Sequence, residues 1–261
     1  MTYAPFDLTG KVALVTGGNR GIGLGMARAL AASNASLAIW GRKDAANQAA
    51  IAELSKLGTG EVKAWSVDVS DEQAVIDATV ETVTAMGRID SCFANAGVGF
   101  GSPSFIEMDT ETWRKNMSVN LDGAFWTMRE SVKHIVARAK QGDPGGSIIG
   151  VASLAAIEGA ARNQAYAATK GGLISMLKGI AVEHARYGIR ANAILPGWIA
   201  TDMTQAGQDS EVFASKVISR VPARRWGQPD DFGGVAVYLA SEASSYHSGG
   251  TFVVDGGYSI F

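Results

Sequence analysis

Cysteine is nearly absent: Cys92 is the only one in 261 residues, so no intrachain disulfide framework and no cysteine-rich metal site can form. Histidine is almost as scarce. His134, His184 and His247 are far apart in sequence and match no metal-ligand spacing, so no protein metal site is expected. Basic charge is not in excess either. The 23 Lys and Arg against 25 Asp and Glu leave a formal net charge of −2, too little positive surface for a nucleic-acid partner, and a local cluster such as Arg224-Arg225 does not change that. No apolar run reaches membrane-spanning length. Residues 1–10, MTYAPFDLTG, lack the basic region and apolar stretch of a secretory signal. A soluble cytoplasmic protein with no membrane partner is the expectation.

What is abundant is glycine, 32 residues, in a chain that is 47% hydrophobic. That combination can bury a large core and still make many tight turns between strands and helices. No Pro/Gly/Ser linker or charge run divides residues 1–261, which read as a single domain. Short apolar, β-rich runs occur at KVALVT (11–16), SLAIW (36–40), VKAWSV (62–67), IDSCFA (89–94), SIIGVAS (147–153), IRANAIL (189–195) and TFVVD (251–255). Helical patterns separate them at 22–32, 45–57, 71–86, near 110–139, at 163–186 and from about Pro229. Strands alternating with helices this way are parallel neighbours joined by right-handed crossovers. The fold class is therefore a doubly wound α/β, Rossmann-type sheet of seven parallel strands. Its ligands belong beyond the carboxyl ends of the strands, where the strand order reverses.

The first strand runs into Thr16-Gly17-Gly18-Asn19-Arg20-Gly21-Ile22-Gly23, and a helix follows at once. Glycines there permit a tight turn and close approach to a pyrophosphate, while the helix N-terminus presents free N–H groups. This Gly-x-x-x-Gly-x-Gly spacing resembles the cofactor loop of the short-chain dehydrogenase/reductase family in its compact single-domain branch. The resemblance extends from about Leu8 to Tyr258. It implies an NAD(P)-dependent oxidoreductase moving a hydride to or from the carbon of a CH–OH or C=O group.

In dinucleotide sites the end of the second strand reads the adenosine ribose, an acid for the 2′-hydroxyl and an arginine for a 2′-phosphate. Here the residues are Gly41-Arg42, and Arg20 lies within the glycine loop. A guanidinium can fork onto a phosphate, so NADP(H) is expected over NAD(H), although Asp44 nearby leaves NAD(H) open. The resemblance further implies that Asp68 and Val69 contact adenine and that Asn95-Ala96-Gly97 lines the cofactor, with Asn95 tying adjacent strands. It also places Pro196 and Gly197 beside the nicotinamide, the Ile199 backbone on its carboxamide and Thr201 on the phosphate side.

Tyr166 and Lys170 are four residues apart in a helical stretch, which puts both on one face with Cβ atoms about 5–6 Å apart. Tyrosine has a pKa near 10, and lowering it by about three units corresponds to roughly 4 kcal/mol, within reach of nearby cations in a partly desolvated cleft. Ser153, thirteen residues earlier, stands where the resembled family has its catalytic serine. Asn120 matches the family's helix asparagine, held to bind a water linking Lys170 to solvent. Tyr166 is then the general acid or base, with Tyr166 and Lys170 also touching the cofactor.

Residues from about 202 to 220 are the expected substrate lid. Substrate identity should rest on Ser153, Leu154, Glu158, Asn163, Tyr166, Trp198 and Met203, with Val98–Phe105 beside them, a mix that suits a small or medium alcohol or ketone. The tail from PARRWGQPDD onward resembles tetrameric members, including 3-oxoacyl-[acyl-carrier-protein] reductases, so a homotetramer is expected. The carrier-protein reductase is the rival reading, with Arg162, Arg186 and Arg190 as candidate contacts to an acidic partner. A noncatalytic NADP-sensing protein and the epimerases and dehydratases are lesser alternatives.

Overall fold

In the computed structural model residues 4–261 are described; Met1–Tyr3, part of the opening segment read for a secretory signal, lie outside them. Seven strands form one sheet: β1 (Val12–Thr16), β2 (Ser36–Gly41), β3 (Val62–Ser66), β4 (Ser91–Ala94), β5 (Gly146–Val151), β6 (Ile189–Pro196) and β7 (Thr251–Val254). Their order is β3-β2-β1-β4-β5-β6-β7 and every pairing is parallel. The order reverses between β1 and β4, which opens the ligand crevice there.

Alternation along β1 sends Leu14 and Val15 to opposite faces, each into its own core. Leu14 packs with Trp40, Cys92 and Ile148 beneath α3 (Glu72–Met86), α5 (Gly123–Lys140) and α6 (Gln164–Glu183). Val15 packs with Ile39, Phe93 and Ile149 beneath α1 (Gly21–Ala32), α2 (Asp44–Leu54) and α9 (Gly233–Ala240). Burial on both faces explains why these strands read as continuous apolar runs.

Helix boundaries differ from expectation where local chemistry intervenes. The second helix stops at Leu54 instead of Leu57, and residues 58 and 60 are glycines packed under the α1–β2 turn, where a Cβ would meet the Ala31 and Ala35 carbonyls. Asp71 is an N-cap, its carboxylate accepting from the Gln73 and Ala74 N–H groups, and Gly87 ends α3 at φ 81°. The stretch near 110–139 is not one helix. It is α4 (Thr110–Met117), a π-helical segment at Ser118–Asp122, and α5. The stretch at 163–186 is α6 followed by a 3-10 turn, and the helix expected from Pro229 begins as a 3-10 turn at Pro229–Phe232 before α9. Two short helices, α7 (Gln205–Gln208) and α8 (Glu211–Arg220), occupy the expected lid. No helix among the described residues is long and apolar enough to cross a membrane.

Candidate active site

The turn between β1 and α1 needs its glycines. Gly17 and Gly21 have φ of 64° and 50°, the left-handed region in which a side chain is strained. At Gly23 a Cβ would stand 2.3 Å from the Gly17 carbonyl oxygen and 2.5 Å from Asn95 Nδ2. Arg20 occupies the N-cap of α1 without a side-chain cap, so the first-turn N–H groups of α1 have no capping side chain. Across the reversal, Asn95 Nδ2 donates to the Thr16 carbonyl at 2.8 Å, and Thr16 Oγ1 accepts from the Asn95 and Ala96 N–H groups at 3.0 and 2.9 Å. Asn95 thus ties β1 to β4, as the sequence suggested. Thr16 is its equal partner and was not singled out; its place directly before the glycine loop is the only sequence signal.

At the adenosine end, a Cβ on Gly41 would lie 2.2 Å from Asn19 Nδ2 and 2.6 Å from Asn47 Oδ1. Those two side chains bond each other at 2.7 Å, and Asn47 Nδ2 donates to the Gly41 carbonyl at 2.9 Å. A side chain at position 41 would therefore have to displace the Asn19 and Asn47 amides from each other. Arg42 approaches Asp68 at 3.7 Å and Arg20 approaches Asp202 at 3.4 Å, both exposed pairs. Burial opposes the Asp68 charge, but hydrogen bonds from Ser70 and the Arg42 guanidinium outweigh it and hold the carboxyl below its usual range. Val69 is buried.

Ser153, just past β5, caps a short turn begun by the buried Leu154, its Oγ accepting from the Ala155 N–H at 3.1 Å. Its hydroxyl is near enough to the Tyr166 hydroxyl to favour the phenolate. Tyr166 lies in the first turn of α6, and Lys170 one turn later places Nζ 5.5 Å from the Tyr166 ring centre. That ammonium is buried and donates to the Val151 carbonyl at 2.7 Å. Burial pushes Lys170 down to about 8. Burial also raises the Tyr166 hydroxyl, with the Ser153 hydrogen bond opposing it.

Asn120 is bonded to Val98. Its Oδ1 accepts from the Val98 N–H at 2.8 Å and its Nδ2 donates to the Val98 carbonyl at 2.9 Å. One N–H and one lone pair of the side-chain amide are thereby engaged by a peptide group, which leaves one of each for a further partner. Gly97 lies beside it, where a Cβ would stand 3.3 Å from Asn120 Oδ1 and 3.6 Å from Lys170 Nζ. Asn116 repeats the arrangement: it accepts from the Phe100 N–H at 3.3 Å and donates to the Phe100 carbonyl at 2.9 Å. Sequence reasoning missed Asn116, although the spacing Asn-x-x-x-Asn was visible.

Across from these residues lie Gly197–Thr201 and the short helices of 202–220. The Gly197 N–H donates to Val254, and a Cβ there would touch Asp255, so Gly197 sets the path after Pro196. The buried Ile199 accepts from Thr204 Oγ1 at 2.6 Å, and Thr201 lies against Gly21. Met203 reaches towards Gly99, and Asn163 faces Gly101. Trp198, partly buried, packs edge-on with Phe213, Trp226 and Tyr258. Arg186 and Arg190 are not at this end. Both lie at the amino-terminal edge of the sheet, Arg190 donating to the Leu239 and Ser241 carbonyls. Only Arg162, exposed before α6, remains near the cleft from the three arginines considered for an acidic carrier.

A family profile described as "Enoyl-(Acyl carrier protein) reductase" matches residues 17–259. The chain is 39% identical to the 2-dehydro-3-deoxy-D-gluconate 5-dehydrogenase of Pseudoalteromonas atlantica, covering 97% of each chain. It is 38% identical to the 3-oxoacyl-[acyl-carrier-protein] reductase of Chlamydia pneumoniae, over 96% of this chain and 97% of that one. It superposes with a TM-score of 0.90, 34% identity and 98% coverage of both chains on a gluconate 5-dehydrogenase from Burkholderia cenocepacia solved with NADP and tartrate.

Proposed function

Since the chain belongs to the short-chain dehydrogenase/reductase family, we propose that it oxidises a secondary alcohol of a polyhydroxy compound, or reduces the matching ketone, with Tyr166 as general acid and base. The chain is an oxidoreductase acting on CH–OH groups. The observation that carries the assignment of roles is the convergence of Ser153, Tyr166 and Lys170 at the carboxyl end of β5, next to the crevice between β1 and β4.

NADP(H) is the cofactor the residues suit. The glycine turn would hold its pyrophosphate at the N–H groups of α1. Position 41 carries a glycine and no acid that would repel a 2′-phosphate, and Arg20 and Arg42 are engaged only by loose, exposed carboxylates that a dianion can displace. Asp68 and Val69 would flank the adenine, with Asn95, Ala96, Gly97, Ile199 and Thr201 towards the nicotinamide. When bound, NADP(H) supplies or accepts the hydride at its nicotinamide ring.

In oxidation Ser153 Oγ donates to the substrate oxygen while Tyr166 Oη takes the hydroxyl proton; in reduction Tyr166 returns it. Lys170 lowers the cost of the phenolate by its charge, and it can do so only while protonated. Asn120 acts through its hold on Val98. Residues 202–220 close over the reactants, Met203 leading. Asn163 and Arg162 are uncharged and cationic partners suited to a hydroxylated, carboxylate-bearing chain, the substrate class named for the gluconate relatives. The protein works in the cytoplasm as a homotetramer.

The test is NADP(H)-dependent turnover measured on gluconate, 2-dehydro-3-deoxy-D-gluconate, L-rhamnose, simple ketones and an acetoacetyl thioester, for wild type and Tyr166→Phe. Turnover of a sugar acid, lost by about a thousandfold or more in the variant with NADPH affinity unchanged, is the expected result. Full turnover by Tyr166→Phe would overturn the acid–base role, and a strong preference for the thioester would favour the carrier-protein reductase.

A further inference from the structure

Asn116 and Asn120 project from α4 and the π-helical segment, four residues apart, and both are fully buried. Each grips one peptide group of the segment that leaves β4: Asn120 the N–H and carbonyl of Val98, Asn116 those of Phe100. A side-chain amide carries a donor and an acceptor in the same arrangement as a backbone peptide. The two asparagines therefore stand in for a neighbouring strand, holding residues 98–100 in place beyond the end of β4 at Ala94. Asn116 is itself held, its Nδ2 also donating to the Thr112 carbonyl at 2.9 Å.

Three glycines alternate with the gripped residues, Gly97 being in contact with Asn120 Oδ1 as well. Gly97 lies by Lys170, Gly99 by Met203 of the lid, and Gly101 by Asn163, with the Ser102 N–H donating to the Arg162 carbonyl at 2.9 Å. Grip on the even positions thus leaves three glycines facing the groups that enclose the reacting centre. We propose that Asn116 is a positioning residue for substrate: with Asn120 it holds Gly97–Gly101 as a side-chain-free shelf, on which the part of the substrate remote from the reacting carbon lies beneath Met203. The assignment rests on the oxidoreductase reading above. Asn120 secures the end of the shelf next to Lys170; Asn116 secures the end next to the lid and Asn163. Its loss releases the distant end alone, so it affects substrate affinity and spares both the chemical step and the cofactor.

The test uses the fastest substrate from the panel above, with wild type, Asn116→Ala and Gly99→Ala. Wild-type turnover of any panel member tests the oxidoreductase reading by itself; the ratios between variants test the shelf. Asn116→Ala is expected to raise KM about tenfold, as fits the loss of two to three hydrogen bonds, with kcat within about twofold of wild type and NADPH affinity unchanged. Gly99→Ala keeps the grip and fits the fold, since its Cβ would meet the Met203 sulfur at an ordinary 3.5 Å. It is expected to raise KM more for six-carbon sugar acids than for acetone. If Asn116→Ala loses kcat, KM and NADPH affinity together, the residue is merely structural. If Gly99→Ala leaves every KM unchanged, the shelf does not face the substrate. Either result overturns the proposal.

Discussion

At the scale of single residues, Lys170 is the costliest group in the site. Its ammonium is buried and compensated by the Val151 carbonyl, and its pKa falls to about 8, against about 10.4 for an unfolded lysine. A cation whose folded pKa is depressed penalises the folded state while it is charged. The penalty is present below pH 8 and is relieved as pH rises towards the unfolded value, because the unfolded chain then binds more protons. Wild type should therefore gain stability relative to Lys170→Met between pH 8 and 10, with a slope on the order of 1 kcal/mol per pH unit at most. Urea unfolding of both proteins at pH 7, 8, 9 and 10 measures it, and parallel pH profiles would mean that Lys170 is not depressed. On the proposed mechanism the same titration would limit catalysis, since neutral Lys170 would no longer assist the Tyr166 phenolate. At Gly41, by contrast, a side chain would crowd the Asn19 and Asn47 amides and not the backbone, so those two side chains would have to move to admit one.

Among the elements, the π-helical segment Ser118–Asp122 has the clearest consequence. The Gly123 N–H bonds the Ser118 carbonyl five residues back, and an extra residue in one turn rotates the rest of the helix by about 100° relative to an uninterrupted α-helix. Asn120 sits inside that wider turn and bonds Val98, while Gly123 immediately after it packs so closely on Val69 that a Cβ would stand 2.6 Å from the Val69 carbonyl oxygen. The lid is a second such element. Phe213 of α8 meets Trp198 edge-on at 5.2 Å, and Trp198 in turn meets Tyr258 of the tail. Aromatic pairs of this kind contribute about 1 kcal/mol beyond area burial. Phe213→Ala should shift the lid towards open, raising KM several-fold and speeding proteolysis within 202–220, with little change in overall unfolding. Steady-state kinetics and timed trypsin digestion check this, and an unaltered KM would show that α8 does not close the cleft.

For the molecule as a whole, the question is assembly. β7 is an edge strand, paired only with β6, and Val253 on it is 43% exposed; Tyr246, Val182 and the C-terminal Ile260 and Phe261 are also exposed. An uncovered edge with apolar side chains invites pairing with another chain. Sedimentation equilibrium should give a mass four times that of the 27.2 kDa chain, and Val253→Lys should lower it. A monomeric wild type would remove the tetramer from the proposal.

By itself the sequence determined the fold class, the strand positions, the glycine turn and the Ser153, Tyr166 and Lys170 group. The runs, the turn and the Tyr166–Lys170 pair are written in local patterns, apolar stretches, glycine spacing and a four-residue helical interval, whereas Ser153 came from the resemblance to the short-chain dehydrogenase/reductase family. The tertiary structure alone decided four further points. It committed the Asn120 amide to Val98, paired Asn116 with Phe100, engaged Trp198 in an aromatic cluster, and put Arg186 and Arg190 at the wrong end of the sheet for the cleft. These depend on which groups meet across tens of residues, and an asparagine or arginine has the same local pattern whatever it meets. The helix break at Ser118 was hidden for a related reason: a π turn differs from an α turn by one residue, and the packing of Gly123 on Val69 selects it, not the intrinsic preference of the residues within it.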